Sequence, residues 1–446
     1  MPEIQGASLA LPWVLPFVSL VLMMAVLPLF AARLWERAQH IFVIALIVLM
    51  LLALSIAFGV PATLRLALST IIEDYIPFVL LLTALFVTAG GILLRGNLRG
   101  TPRANAALIL VGMVLANFVG TTGASIMLIR PLLRANDDRP YNAHVVVFFI
   151  FLVSNIGGSL SPLGDPPLFL GFLHGVDFFW PTMHLLPLTL MASACVLVIF
   201  YLVDSYHYRK EGRLPYDPTP RHRLKLEGIQ NVLLVAATVV AVALTGTFEL
   251  GHVEFWGLDI RVMSLVRDTA LLAITALSLH WTPARLHEEN GFSWEPLREV
   301  AVLFAGIFIT LIPVTAMLNA GMDGAFAPLL AYVMHPDGSF ENIALFWVTG
   351  ALSSFLDNAP TYLVFFELAG GNAQHLMTAG VATLAAISAG AVFMGANSYI
   401  GNAPNLMVRA IATRHKVRMP GFFSYMAWSG LVLLPVFALV SLIFFG

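Results

Sequence analysis

Long runs of apolar residues recur along the whole chain, and they constrain its fold more than any other feature. A helix needs about 20 mostly apolar residues to cross a bilayer. Ten segments meet this requirement, near 9–31, 40–60, 75–94, 141–173, 181–203, 228–247, 267–282, 299–320, 374–413 and 421–444. Only 11% of the residues are charged, whereas a soluble protein carries about 25%. The sequence therefore predicts an all-α polytopic membrane protein whose main partner is the lipid bilayer.

Four apolar stretches are interrupted by polar residues, glycine or proline. The segments 141–173 and 374–413 are too long for one simple crossing, and we interpret each as a broken helix. The stretches 104–134 and 340–369 have a polar centre, ANFVGTTGAS in the first and SSFLDNAPTY in the second. Such a stretch of about 30 residues suits a hairpin that enters and leaves on one side. Non-helical backbone at membrane depth is tolerated only inside protein or beside water, so we expect two buried re-entrant hairpins.

The basic residues are distributed very unevenly between the loops. With the N-terminus outside, only three of the 23 Lys and Arg residues fall on the outer side, namely Arg65, Arg261 and Arg267. An excess of Lys and Arg marks cytoplasmic loops. We therefore predict a multi-pass protein of the cell (inner) membrane with both termini outside. The formal net charge of −2 argues against a nucleic-acid partner.

Two motif pairs repeat along the chain at one spacing. ANFVGTTGAS aligns with SSFLDNAPTY through Phe118 and Phe355, and SPLGDPP aligns with SYIGNAP through Gly164 and Gly401. The separation along the chain is identical in both pairs, and we call it the repeat spacing. We predict a duplication in which each half makes five crossings, an odd number that turns the second half upside down. Inverted repeats with broken helices are typical of secondary transporters, which bind substrate near the midplane. The predicted units are 1–203, a cytoplasmic basic linker 204–227, and 228–446.

Two acidic residues, Asp165 and Asp357, lie in these interrupted stretches. A charged side chain at the bilayer centre costs roughly 2.5–3.5 kcal/mol or more, which favours a functional role. Asp165 could instead cap the next half-helix, and the two roles remain open, while Glu367 is predicted to be interfacial. The candidate ion- or substrate-binding residues are Asn117, Thr121, Thr122, Ser154, Asn155, Ser161, Asp165, Ser354, Asp357, Asn358, Thr361, Asn397, Ser398 and Asn402. The hypothesised Na⁺ ligands are Asp165, Asp357 and Asn358.

The motifs SNIGGSLSPLGD and FLDNAPT resemble those of the ion-transporter superfamily. They are most similar to NhaD-type sodium/proton antiporters and the related citrate-transport branch, and the resemblance extends from about residue 105 to the C-terminus. It implies a scaffold part that forms a homodimer and a mobile part that holds both hairpins. The sodium/carboxylate branch of the superfamily carries Ser-Asn-Thr hairpin tips, which this sequence lacks. The dicarboxylate pocket of that branch is therefore not implied.

The hypothesis that best fits these features is sodium (cation)/proton antiport by alternating access, with Na⁺ and H⁺ as the transported ions and no cofactor. Symport of citrate or another anionic carboxylate with Na⁺ or H⁺ is the alternative. An intramembrane aspartyl protease is a remote alternative, because Pro162-Leu163-Gly164-Asp165 lacks the first glycine of the Gly-x-Gly-Asp motif of those enzymes. A passive channel is also conceivable. We expect a transporter rather than an enzyme.

Overall fold

The computed structural model describes residues 4–96, 98–212, 225–334 and 339–446. Two short antiparallel strand pairs accompany the helices, β1 (Leu93–Arg95) with β2 (Lys225–Glu227), and β3 (His252–Phe255) with β4 (Leu258–Arg261). The helices are α1 (Leu15–Phe30), α2 (Ala32–Phe58), α3 (Val60–Ser69), α4 (Ile76–Gly90), α5 (Pro102–Ala135), α6 (Ala143–Leu152), α7 (Pro166–Leu173), α8 (Trp180–Glu211), α9 (Ile229–Thr245), α10 (Val262–Trp281), α11 (Ala284–Glu289), α12 (Glu295–Asn319), α13 (Ala327–Val333), α14 (Asn342–Ser353), α15 (Asn358–Leu368), α16 (Ala373–Thr378), α17 (Val381–Met394), α18 (Ala403–Arg414) and α19 (Phe422–Phe444).

Within the described part of the chain, eight helical segments are long and apolar enough to cross a membrane. One of these is α5, which is a hairpin, so seven are full crossings. The helix α9 and the two broken pairs α6/α7 and α17/α18 add three more. The total of ten crossings agrees with the sequence, and the prediction of an all-α polytopic membrane protein is confirmed. Much of the surface of these helices is apolar and exposed, as lipid contact requires.

Several predicted boundaries differ from the structure. The third crossing begins at Val60 rather than near residue 75, and α3 and α4 are joined by a π-helical turn, Thr70–Tyr75. The helix α8 continues to Glu211, well into the predicted linker 204–227, because its polar end extends beyond its apolar run. Residues 213–224 of that linker lie outside the described residues. The predicted segment 374–413 also contains the separate short helix α16 before the broken pair.

The helix α5 is folded back on itself at Gly120. A straight helix of its 34 residues would be about 51 Å long. Yet the side-chain amides of Asn105 and Asn136, at its two ends, donate hydrogen bonds to each other's oxygens at 2.9 and 2.8 Å. The reversal takes place at Gly120, whose φ of 76° and ψ of 157° are accessible to glycine and strained for other residues. The predicted hairpin 104–134 is therefore present.

The second hairpin consists of α14 and α15, joined by residues 354–357. With 12 and 11 residues these helices are each about 17 Å long, roughly half of the 30 Å that a crossing requires. Each therefore reaches only to mid-membrane. The predicted hairpin 340–369 has these bounds.

The bases of the two hairpins lie at opposite ends of α8. At the base of the first hairpin, Asn105 donates to Asp204, which lies in the last two turns of α8, at 2.9 Å. At the base of the second, Glu367 lies 3.8 Å from His174, which immediately follows α7 and precedes the start of α8. These two places are about 36 Å apart along the helix. The hairpins therefore enter the membrane from opposite sides, as the inverted duplication requires.

Candidate functional site

Each broken helix is interrupted by a pair of glycines whose backbones touch. A Cβ at Gly164 would lie 2.1 Å from the carbonyl oxygen of Gly158, and one at Gly401 would lie 2.6 Å from that of Gly395. Both approaches are closer than a real Cβ tolerates, so glycine is required at these points. Because Gly158 and Gly395 are also separated by the repeat spacing, the same backbone frame occurs twice.

The hairpin tips are attached to the broken helices by the same hydrogen bonds in both halves. Ser161 Oγ donates to the carbonyl of Asn117 at 2.5 Å, and Ser398 Oγ donates to the carbonyl of Ser354. The side chains of Asn117 and Ser354 in turn donate to carbonyls of the broken helices, at 2.6 and 3.2 Å. Ser398 follows Ser161, and Ser354 follows Asn117, at the repeat spacing, which supports the predicted duplication. These four candidate residues thus hold the tips in place.

The carboxylate of Asp165 lies where both hairpin tips and both broken helices meet. Its Oδ1 accepts hydrogen bonds from Thr121 Oγ1 at 2.9 Å and from Asn402 Nδ2 at 3.3 Å. Its Oδ2 accepts one from Asn358 Nδ2. The donors Thr121 and Asn358 occupy equivalent positions on the two tips, since the repeat spacing separates them as well. With only 1% of its surface exposed, Asp165 is the centre of the candidate site.

A second layer of amides surrounds this centre. Asn402 Nδ2 also lies 3.1 Å from the carbonyl of Ser154 and 3.2 Å from Asn155 Oδ1. Asn155 Nδ2 donates to Asn405 Oδ1 at 2.8 Å, and the hydroxyls of Ser154 and Ser125 are 2.8 Å apart. Asn405 and Ser125 were absent from the predicted site. Asn405 follows Asn402 in the same GNAPN run, which was the available signal, whereas nothing local distinguishes Ser125.

The two acidic candidates have different roles in the structure. Asp357 Oδ1 accepts a hydrogen bond from the backbone N–H of Ala359 at 3.1 Å and thereby caps α15, and Thr361 Oγ1 donates to the carbonyl of Asp357 at 3.0 Å. Asp165 occupies the corresponding position before α7, but its side chain makes no cap hydrogen bond. Asp165 could bind a ligand or cap its helix, and the structure favours a carboxylate that is available to a ligand. The residue that caps its helix is Asp357.

A cavity of about 90 Å³ lies against Asp165. Thr121, Thr122, Phe78 and Phe169 are among the residues that line it. Pro296 and other residues from the start of α12, which the predicted orientation places toward the cytoplasmic side, also line it. Among the described residues that line this cavity, Asp165 is the only one with an ionisable side chain. The cavity is therefore suited to a small cation rather than to a multiply charged anion.

Two buried amide oxygens near the centre, Asn358 Oδ1 and Asn397 Oδ1, have no hydrogen-bond partner. Asn397 otherwise donates through Nδ2 to Ser354 Oγ at 2.9 Å. A buried polar atom without a partner is costly, and hard cations such as Na⁺ bind carboxylate, amide and carbonyl oxygens. No group of three or more His, Cys, Asp or Glu that could hold a metal ion occurs among the described residues. The donor set thus suits an alkali cation better than a transition metal.

Ten crossings, two opposed hairpins and two broken helices that meet at a buried carboxylate define a membrane transporter. Residues 6–445 match the family described as "Putative citrate transport". The chain belongs to this family, and the resemblance to the citrate-transport branch noted in its motifs is confirmed. A search of curated proteins finds no match.

Proposed function

We propose that the protein exchanges Na⁺ for protons across the membrane by alternating access. The observation that carries this proposal is the single carboxylate of Asp165, buried where both hairpins and both broken helices converge. A carboxylate binds either a proton or a cation, but not both at full strength. Competition for this one group, exposed to each side of the membrane in turn, couples the two ions.

The side chains around Asp165 are suited to both occupants. Thr121 donates a hydrogen bond in this structure, but its hydroxyl oxygen also has lone pairs for a cation. The amides of Asn358 and Asn402 now present Nδ2 to the carboxylate, and a flip of either amide group would present Oδ1 instead. Asn358 Oδ1 has no partner to lose in such a flip. The same three residues can therefore stabilise the empty carboxylate as donors and complete a cation shell as acceptors.

Alternating access requires a site that both sides can reach. The carboxylate is held from one side by the tip of α5 and from the other by the tip of α14–α15. Moving these tips together, as a mobile part within a homodimeric scaffold, is what the resemblance to the antiporters implies. Asp357, at the second tip, remains a hypothesised ligand because the cap occupies only one of its two oxygens.

Symport of an anionic carboxylate such as citrate is a second candidate, because the description of the family favours it. The N-terminal ends of α15 and α18 converge on the site, and helix N-termini attract anions. However, none of the described residues that line the cavity is Arg, Lys or His. A polycarboxylate would meet the charge of Asp165 without a cationic side chain to offset it. The site therefore supports cation exchange better.

Purified protein reconstituted in proteoliposomes tests the two candidates side by side. An inward Na⁺ gradient should drive proton efflux, measured with a trapped pH-sensitive dye, and radiolabelled citrate should not accumulate. Asp165→Asn should abolish the proton flux, and Asp177→Asn, which neutralises an acid in the loop after α7, should leave it unchanged. Citrate accumulation without Na⁺-driven proton efflux would replace antiport by symport.

A further inference from the structure

A second group of titratable side chains lies inside the protein, away from Asp165. Asp74 comes from the π-helical turn, His174 from the C-terminal end of α7, and Glu367 from the C-terminal end of α15. His174 Nε2 lies 4.0 Å from Asp74 Oδ1 and 3.8 Å from Glu367 Oε1. The three side chains line a cavity of about 170 Å³. We call these residues the outer cluster, because the predicted orientation places them toward the outer side.

The imidazole of His174 has a defined proton-exchanging nitrogen. Its Nδ1 lies 2.9 Å from the carbonyl oxygen of Leu170, one helical turn earlier. A carbonyl only accepts, so Nδ1 carries the hydrogen of this bond and Nε2 is the atom that gains or loses a proton. Nε2 is also the atom that faces both carboxylates. The geometry therefore suits proton exchange between His174 and its neighbours.

The charges around His174 favour the capture of a proton. The π-helical turn supplies Glu73 as well as Asp74, with Glu73 held by a 2.6 Å hydrogen bond from Ser69. The helix α12 contributes a neutral side chain, Asn319, which bonds to Glu367. The side chains of His174 and Asp74 are each 26% exposed, and that of Glu367 is 6% exposed. The outer cluster thus has an excess of negative charge and contact with solvent.

Two adjacent half-helices connect the outer cluster to the central site. Asp165 precedes α7 and His174 follows it, while Asn358 begins α15 and Glu367 lies in its last turn. Each pair is about 13 Å apart along its helix. The two helices pack so closely that a Cβ at Gly171 would lie 2.3 Å from the hydroxyl of the facing tyrosine on α15. The two helices are therefore packed as one unit that carries residues of both sites, whereas Asp74 lies on the separate π-helical turn.

Four phenylalanine rings separate the two cavities. Phe78 stacks on Phe304 with ring centres 4.3 Å apart, and it lies 5.9 Å from Phe308 and 6.5 Å from Phe169. Phe78 and Phe169 line the cavity of Asp165, whereas Phe308 lines the cavity of the outer cluster. The rings form an aromatic plug between the two. In this structure the central site is closed on the outer side.

We propose that Asp74, His174 and Glu367 form the outer proton-exchange site, at which protons from outside bind before they reach Asp165. This inference rests on the proposed cation/proton exchange. A proton from outer water binds His174 Nε2 and produces an imidazolium between the two carboxylates. When the plug opens, water that enters between the two cavities relays this proton from the imidazolium over about 13 Å to the carboxylate of Asp165, and the cation leaves to the outside. His174 returns to its neutral form, and Asp165 stays neutralised throughout.

The test compares proton-coupled and proton-independent transport in the same variant. His174→Gln removes the titrating nitrogen and keeps a polar side chain. Removal of a proton-transfer group should slow Na⁺/H⁺ exchange by about tenfold or more, while exchange of radioactive Na⁺ for Na⁺ at equal pH should stay close to wild type. The matched control is His415→Gln, because His415 ends α18 with an equivalent bond of Nδ1 to the Ile411 carbonyl at 3.0 Å. This control should leave both fluxes unchanged.

Two results would overturn the proposal. Equal loss of both fluxes in His174→Gln would make the outer cluster a structural gate, and unchanged fluxes would remove it from the proton path. Asp74→Asn and Glu367→Gln serve the same comparison if His174→Gln does not fold. A wild-type protein that exchanges Na⁺ for Na⁺ but moves no protons would instead refute the antiport function itself, so the two failures are distinguishable.

Discussion

Asp165→Asn is the substitution that separates transport from folding most cleanly. It keeps the shape of the side chain and removes one negative charge from a position that is 1% exposed. The new amide must place its Nδ2 where a carboxylate oxygen now accepts a hydrogen bond. The least costly arrangement points Nδ2 toward Asn358, whose unpartnered Oδ1 can rotate into place and accept. The side-chain oxygen that remains at position 165 then still accepts the hydrogen bonds from Thr121 and Asn402.

The expected effect on stability is small because two terms oppose each other. A hydrogen bond to a charged group contributes about 1.5–3 kcal/mol, and one between neutral groups about 0.5–1.5 kcal/mol. Three bonds are weakened, which costs about 3–4.5 kcal/mol in total. The variant also no longer buries a charge, which otherwise costs several kcal/mol. We therefore expect the free energy of unfolding to change by no more than about 2 kcal/mol.

Thermal unfolding in detergent and proton flux in proteoliposomes together check this prediction. Asp165→Asn should melt close to wild type and show no Na⁺-driven proton movement. A variant that melts normally and still exchanges at the wild-type rate would refute the assignment of Asp165 as the coupling group. A variant that fails to fold would refute the reasoning about compensating terms, and Asp165→Glu, which retains the charge, would then test the coupling role.

Three further predictions concern stability. Gly164→Ala should lower the free energy of unfolding by about 1–3 kcal/mol, which is the usual cost of overpacking. Gly430→Ala should not, because no atom lies within 4 Å of its Cβ position. Thermal melting of both variants checks this prediction. Asp357→Asn should keep the cap of α15, since Asn caps as well as Asp, and Asp357→Ala should cost about 1 kcal/mol, again read from the melting temperature. Arg139→Met should lower the free energy of unfolding by about 3–5 kcal/mol, because the buried Arg139 pairs with two acids at 2.7 and 2.9 Å. Arg95→Met should lower it by about 1 kcal/mol or less, because the side chain of Arg95 is 40% exposed. Denaturant titration of both variants distinguishes the two effects.

Most of the architecture could be predicted from local sequence. A membrane helix is defined by a run of apolar residues, and an interruption by Gly, Pro and Asn is visible in the same run. The hairpin 104–134 and the tip residues Thr121 and Asn358 could therefore be located without a structure. The repeat spacing was also readable, because Gly164 and Gly401 are needed wherever two backbones touch.

Contacts between distant segments could not be predicted in this way. The sequence showed two acids at helix breaks, but whether Asp165 or Asp357 caps its helix depends on which donors the other segments bring. Glu367 is buried beside His174, a contact that its predicted interfacial depth did not reveal. Asp74 lies in a π-helical turn that has no clear signature in an apolar run. These residues meet only after segments from both halves of the chain have packed together.

The two halves of the protein supply the same frame, yet the position of Asp165 in the first half is occupied by Asn402 in the second. Of the two equivalent positions in the duplicated frame, only the first therefore carries an acid. If Asp165 alone couples the two ions, the proposed antiport exchanges one Na⁺ for one proton and moves no net charge across the membrane. The voltage across the membrane would then neither drive nor oppose the exchange, and the concentration gradients of the two ions alone would set its direction.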